Sequence, residues 1–153
     1  MIDRPLGELP IRIVHTVELG ASAADVFAVL ADHERWPEWF GGMRRARIDG
    51  PASGVGALRT VWVPPARVQE RFSAWEPGER LTLHVVSSSL PGLRAMTEDW
   101  RLDAIDPAHT RLTLEVGAEP VRWLRPLGAV VRLAVGRATR GAMGIRGRFP
   151  MPN

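Results

Sequence analysis

The sequence predicts an α+β fold: a seven-stranded, curved antiparallel sheet wrapped around a long C-terminal helix. Three observations predict it. Strand-like runs recur at short intervals between residues 44 and 117, with turn residues between them, which is the pattern of an antiparallel meander. Helical periodicity is confined to residues 22–40 and 126–142. A sheet of this size has an apolar face to cover, and the C-terminal helix is the only long amphipathic element available. The 153 residues, 45% of them hydrophobic, suit one soluble domain with a core of its own.

The elements follow in order. Residues 1–10 form an N-terminal extension with two acids and two prolines, unlike a secretory signal. In Ile11–Leu19, Ile13, His15, Val17 and Leu19 fall on one face and Arg12, Thr16 and Glu18 on the other. Ser22 then reads as an N-cap with Asp25 in the capping-box place, ahead of Val26, Phe27, Val29 and Leu30 at helical spacing. His33–Phe40 is a second short helix or turn, broken by Pro37 and released by Gly41 and Gly42. Six strands are expected at 44–48, 57–63, 67–75, 81–86, 95–105 and 111–117. Asp49-Gly50-Pro51, Pro64-Pro65, Glu76-Pro77-Gly78, Ser87–Gly92 and Asp106–His109 separate them. Pro126 suits a first helical turn. Beyond it Leu127, Val130, Val131, Ala134, Val135, Ala138 and Ala142 share one face, with Arg132, Arg137 and Arg140 opposite. The domain is expected to span 11–143, with 144–153 a flexible basic tail.

Composition removes whole classes of chemistry. There is no cysteine, tyrosine or lysine, and all 20 basic residues are arginine. Thiol and phenol catalysis, disulfides and Schiff-base lysine chemistry are excluded. The four histidines are scattered, no HExxH or GxSxG occurs, and Gly54-Val55-Gly56 lacks a third glycine. No metal and no cofactor is therefore expected. No uncharged apolar run approaches the ~18 residues of a membrane span, so a cytoplasmic protein is expected. Charge is uneven: residues 1–120 hold 13 Arg against 17 acids, and residues 121–153 hold 7 Arg and no acid. A basic end on an acidic body points to an anionic partner. Its arginine face lacks interleaved aromatics, so nucleic acid is not expected.

Strand parity turns Val68/Phe72, Leu83/Val85, Met96/Trp100 and Leu112/Leu114 inward. Three polar residues share those faces: His15, Glu70 and Glu98, with Thr60 uncertain. A carboxyl among apolar neighbours is either protonated, which suits a general acid or base, or paired with arginine. If strands pair in sequence order, Glu70 and Glu98 lie about 9.6 Å apart, two strand spacings, and flank a ligand rather than form a dyad. Trp62, Trp75 and Trp100 are candidates for stacking on a planar ring.

Val26-Phe27 followed by Asp32-His33-Glu34-Arg35-Trp36-Pro37-Glu38-Trp39 resembles the START-like (SRPBCC) superfamily. That superfamily groups the birch-pollen-allergen fold, polyketide cyclases/dehydrases and lipid-transfer domains. Gly54-Val55-Gly56, and Trp100-Arg101-Leu102 with His109–Thr113, match it more loosely, and the resemblance covers residues 11–142. It implies a helix-grip fold with an apolar cavity between sheet and C-terminal helix, holding a hydrophobic, lipid- or polyketide-like ligand. The lining would come from Trp62, Val68, Phe72, Leu83, Val85, Met96, Trp100, Leu114 and Val131. Two functional classes follow. One is a cofactor-independent polyketide cyclase/dehydratase with Glu70, Glu98 and His15 as acid/base groups. The other is a non-enzymatic carrier, chaperone or protein-interaction module. Arg132, Arg137 and Arg140 would face an acidic acyl carrier protein or another anionic surface, and the chain would be a monomer or homodimer.

Overall fold

The computed structural model describes residues 1–153. Seven strands run β1 (Ile11–Leu19), β2 (Arg45–Ile48), β3 (Leu58–Val63), β4 (Ala66–Glu76), β5 (Arg80–Ser88), β6 (Leu93–Asp106) and β7 (His109–Pro120). They form one antiparallel sheet in the order β1-β7-β6-β5-β4-β3-β2. Only β1 departs from sequence order, because the helical segment after it carries the chain to the far edge. That segment is α1 (Ala23–Ala31) and a 3-10 turn, His33–Glu38. Ser22 caps α1, its hydroxyl accepting from the Asp25 amide at 3.1 Å. No helix is long and apolar enough to cross a membrane.

Two layers divide the concave face. Val26, Phe27 and Leu30 of α1, with Trp36, Trp39 and Phe40 after it, bury against Phe72, Leu83, Trp100, Leu112 and Leu114. The Trp36 and Trp100 rings meet edge-on at 5.1 Å. Trp36 Nε1 donates to the Leu30 carbonyl at 2.9 Å, which satisfies the indole inside this layer. The rest of the face lies under α2 (Gly128–Thr139).

The C-terminal helix is shorter than its apolar pattern suggests. Arg122–Leu127 and Arg140–Gly147 on either side of α2 wind as 3-10 turns. The second of these lies tightly on the backbone of residues 39–41. The Gly41 amide donates to the Gly141 carbonyl at 2.9 Å, and a Cβ on Gly144 would collide with the Trp39 carbonyl. The segment from residue 144, expected to be a flexible tail, instead begins docked. Ile145 is fully buried, and the Gly20 amide donates to the Phe149 carbonyl at 3.0 Å. Gly144→Ala is accordingly expected to lose about 1–3 kcal/mol of stability, read by thermal or urea unfolding.

The first ten residues also pack. Leu6 and Leu9 lie against Gly117 on the convex face of β7, where a Cβ would meet the Leu9 side chain at 2.6 Å. Arg4 Nη1 pairs with the buried Glu119 carboxylate at 2.6 Å.

The sheet opens in one place. β5 and β6 pair from Arg80↔Arg101 to His84↔Thr97 and then part, although β5 continues to Ser88 and β6 starts at Leu93. On the other side of β5 the register with β4 shifts between Gln69 and Glu70. Such a bulge bends a strand, and here it sits beside the space under α2.

Candidate functional site

The space between α2 and the parted strands is a cavity of about 410 Å³, within the range of pockets that hold small organic molecules. Val61, Val63, Val68, Val85 and Met96 form its sheet wall, and Val131, Ala134, Val135 and Ala138 its helix wall. Leu90, Pro91 and Gly92 stand at the gap between β5 and β6.

Three charged side chains, Arg59, Glu70 and Glu98, share this otherwise apolar lining, and all three are buried. Arg59 on β3 lies directly opposite Glu70 on β4, and its Nε donates to Glu70 Oε2 at 2.6 Å. The guanidinium lies over the Trp36 ring, 3.8 Å from its centroid. Its Nη1 reaches His33 Nδ1 at 3.3 Å. Burial and the neighbouring Arg59 charge hold His33 neutral, its pKa lowered to about 3. The geometry therefore makes Nδ1 the acceptor and Arg59 the donor.

Glu98 is on β6, with β5 between it and Glu70. It has no arginine of its own; Trp100 Nε1 donates to its Oε2 at 3.1 Å. Burial, and then the Glu70 charge, push its pKa up to about 8, against the weaker opposing pull of Arg59. One guanidinium can neutralise one carboxylate here, so the second keeps its proton. At neutral pH the cavity wall thus carries a carboxylic acid that can donate a hydrogen, near a carboxylate that can accept one. That is the pairing general acid–base chemistry uses, and also one that binds the oxygen of an apolar ligand.

The other sequence candidates divide. Val68, Val85, Met96 and Val131 line the cavity with Glu70 and Glu98. Phe72, Leu83, Trp100 and Leu114 do not. They point to the concave face as parity requires, but α1 and the Trp36–Phe40 segment cover that part of it. Trp62 is on the convex face, with Arg45 and Arg47 over its ring at 4.8 and 5.5 Å. Thr60 shares that face and donates to Asp49. Trp75 packs on Phe27, His33 and Phe72.

His15 is away from the carboxyls. Its Nε2 meets Thr139 Oγ1 at 2.9 Å, and that hydroxyl donates onward to the Val135 carbonyl at 2.9 Å. His15 is therefore the donor and ties β1 to α2. Partial burial, then the Arg140 charge, lower its pKa and keep it neutral. Arg59 and His33 escaped the sequence reading. The signal for Arg59 was its alternation with Val61 and Val63, the inward set of β3.

Comparisons with known proteins agree with this architecture. A START superfamily protein from Mycobacterium smegmatis superimposes with a TM-score of 0.77 at 15% identity, over 91% of this chain and 97% of that one. The Zhui aromatase/cyclase from Streptomyces sp. R1128 gives 0.67 at 21% identity, over 88% and 94%. Norcoclaurine synthase from Thalictrum flavum gives 0.60 at 16%, over 83% of each chain. At these identities the likeness is one of fold. In sequence, the uncharacterized protein Rv2574 of Mycobacterium tuberculosis is 31% identical over 133 residues, 86% of this chain and 79% of that protein. Residues 10–145 match the family described as polyketide cyclase / dehydrase and lipid transport, and the chain belongs to that family.

Proposed function

We propose that the protein binds a hydrophobic small molecule bearing an oxygen function, lipid- or polyketide-like, in the cavity between sheet and helix. The observation that carries this is the buried Arg59–Glu70–Glu98 cluster set into an apolar wall. Buried charge without a purpose is costly, and pure core filling would not leave about 410 Å³ beside it. The structural neighbour norcoclaurine synthase was solved in complex with dopamine and hydroxybenzaldehyde, which supports a small-molecule role for this fold.

The test is binding of a neutral apolar probe, N-phenyl-1-naphthylamine, with native mass spectrometry of the purified protein for co-purifying ligand. Ala134→Trp fills the cavity from the helix side and is expected to weaken probe binding by about tenfold or more. Unchanged binding would overturn the reading.

The raised pKa of Glu98 favours a second step, in which the protein acts as a cyclase or dehydratase with Glu98 as acid and Glu70 as base. Glu98→Gln and Glu70→Gln then abolish turnover of a polyketide-like substrate while affinity survives. Undiminished turnover in both would leave a carrier.

A further inference from the structure

Large apolar side chains on and beside the cavity lining are covered by nothing in the fold. Trp123 is 70% exposed, Val130 62% and Leu133 58%, and Leu90 and Leu127 are about half exposed. Leu90, Leu127 and Val130 line the opening itself. Val130 and Leu133, three residues apart on α2, are neighbours on its outward side. Arg122 precedes Trp123, Arg125 follows two residues on, and Arg137 stands one turn beyond Leu133. Of the seven arginines in residues 121–153, Arg125 and Arg148 have ion-pair partners and the other five have none.

This combination selects its occupant. Exposed aliphatic side chains enter the acyl boundary of a bilayer, an exposed indole sits at headgroup level, and unpaired guanidinium groups bind lipid phosphate. A two-fold contact between copies would set this segment, with five unpaired arginines and no acid of its own, against itself. An acidic protein would answer the arginines but not the apolar rim at the cavity mouth. We propose that the rim formed by Trp123, Leu127, Val130 and Leu133 docks on an anionic lipid bilayer, with the cavity mouth facing the membrane. Docking of this kind lets an apolar ligand pass between bilayer and cavity without crossing water.

The test is flotation of the full chain with phosphatidylcholine vesicles, with and without about one third phosphatidylglycerol. Binding is expected only to the anionic vesicles, and to weaken as salt rises from about 0.05 to about 0.5 M. Brominated acyl chains are expected to quench tryptophan emission, an effect lost in Trp123→Ser. The double variants Trp123→Ser/Leu133→Ser and Arg122→Glu/Arg137→Glu are each expected to lose about tenfold in vesicle affinity. Near-ultraviolet circular dichroism checks that they remain folded. Wild-type-like vesicle binding by both folded variants would overturn the proposal. So would absence of vesicle binding, whether or not the wild type self-associates through this rim or binds an acyl carrier protein. Naphthylamine binding is read in the same samples without vesicles, so failure of docking and failure of the cavity reading are distinguished.

Discussion

Arg59→Leu is expected to lower the unfolding free energy by about 3–5 kcal/mol at neutral pH, measured by urea unfolding. Arg59 is fully buried and its Nε holds Glu70 at 2.6 Å. Removing the guanidinium leaves Glu70 buried without its counter-charge and takes from Glu98 the one cation that moderates its environment. It also strips the face of Trp36, which the guanidinium covers at 3.8 Å. The double variant Arg59→Leu/Glu70→Leu removes both charges and is expected to regain most of the loss. Recovery would separate the cost of an orphaned carboxylate from the cost of lost packing. A single variant within about 1 kcal/mol of wild type would mean that Arg59 does not hold the cluster.

The second large effect is on pH. Glu98 keeps its proton up to about pH 8 in the fold, whereas an unfolded glutamate releases it near ~4.3. Between those values the folded state binds the extra proton, so stability falls as pH rises and the loss is complete above the folded value. The neutral histidines work the other way. His33 titrates at about 3 in the fold and at ~6.5 unfolded, so its contribution is lost as pH falls below 6.5; His15 is shifted in the same sense. Above pH 6.5 the Glu98 effect is unopposed by them. Stability is expected to drop by about 2 kcal/mol between pH 6.5 and 8, and Glu98→Gln is expected to remove most of that slope. An equal slope in wild type and Glu98→Gln would assign the proton elsewhere.

How far the site was legible follows from what alternation carries. Glu70 sits between Val68 and Phe72, and Glu98 between Met96 and Trp100, so their inward direction could be read directly. β3 carries apolar residues on both faces, Leu58 and Trp62 against Val61 and Val63. Parity therefore does not choose between the face of Trp62 and the face of Arg59. Alternation also reports direction but not depth. Phe72, Leu83, Trp100 and Leu114 face inward like Val85 and Met96, and only the position of the Trp36–Phe40 layer decides which inward residues meet open space. The docked C-terminal segment was hidden for a related reason. In sequence Gly141 falls within the helical pattern and Gly144 opens the expected tail, whereas in the fold both are where two backbones touch.

The parting of β5 from β6 has a mechanical meaning. Beyond His84 and Thr97 the two walls share no ladder bonds, yet they do not stand free. The Ile2 amide donates to the Arg94 carbonyl at 3.0 Å, the Met1 amine reaches the Val86 carbonyl at 3.4 Å, and Thr97 Oγ1 donates to the Arg4 carbonyl at 2.9 Å. The first residues of the chain are thus a clasp laid across a seam. The two strand ends are thus joined by a few hydrogen bonds from residues outside the sheet, while the helix that forms the opposite wall is tied to β1 through His15 and Thr139.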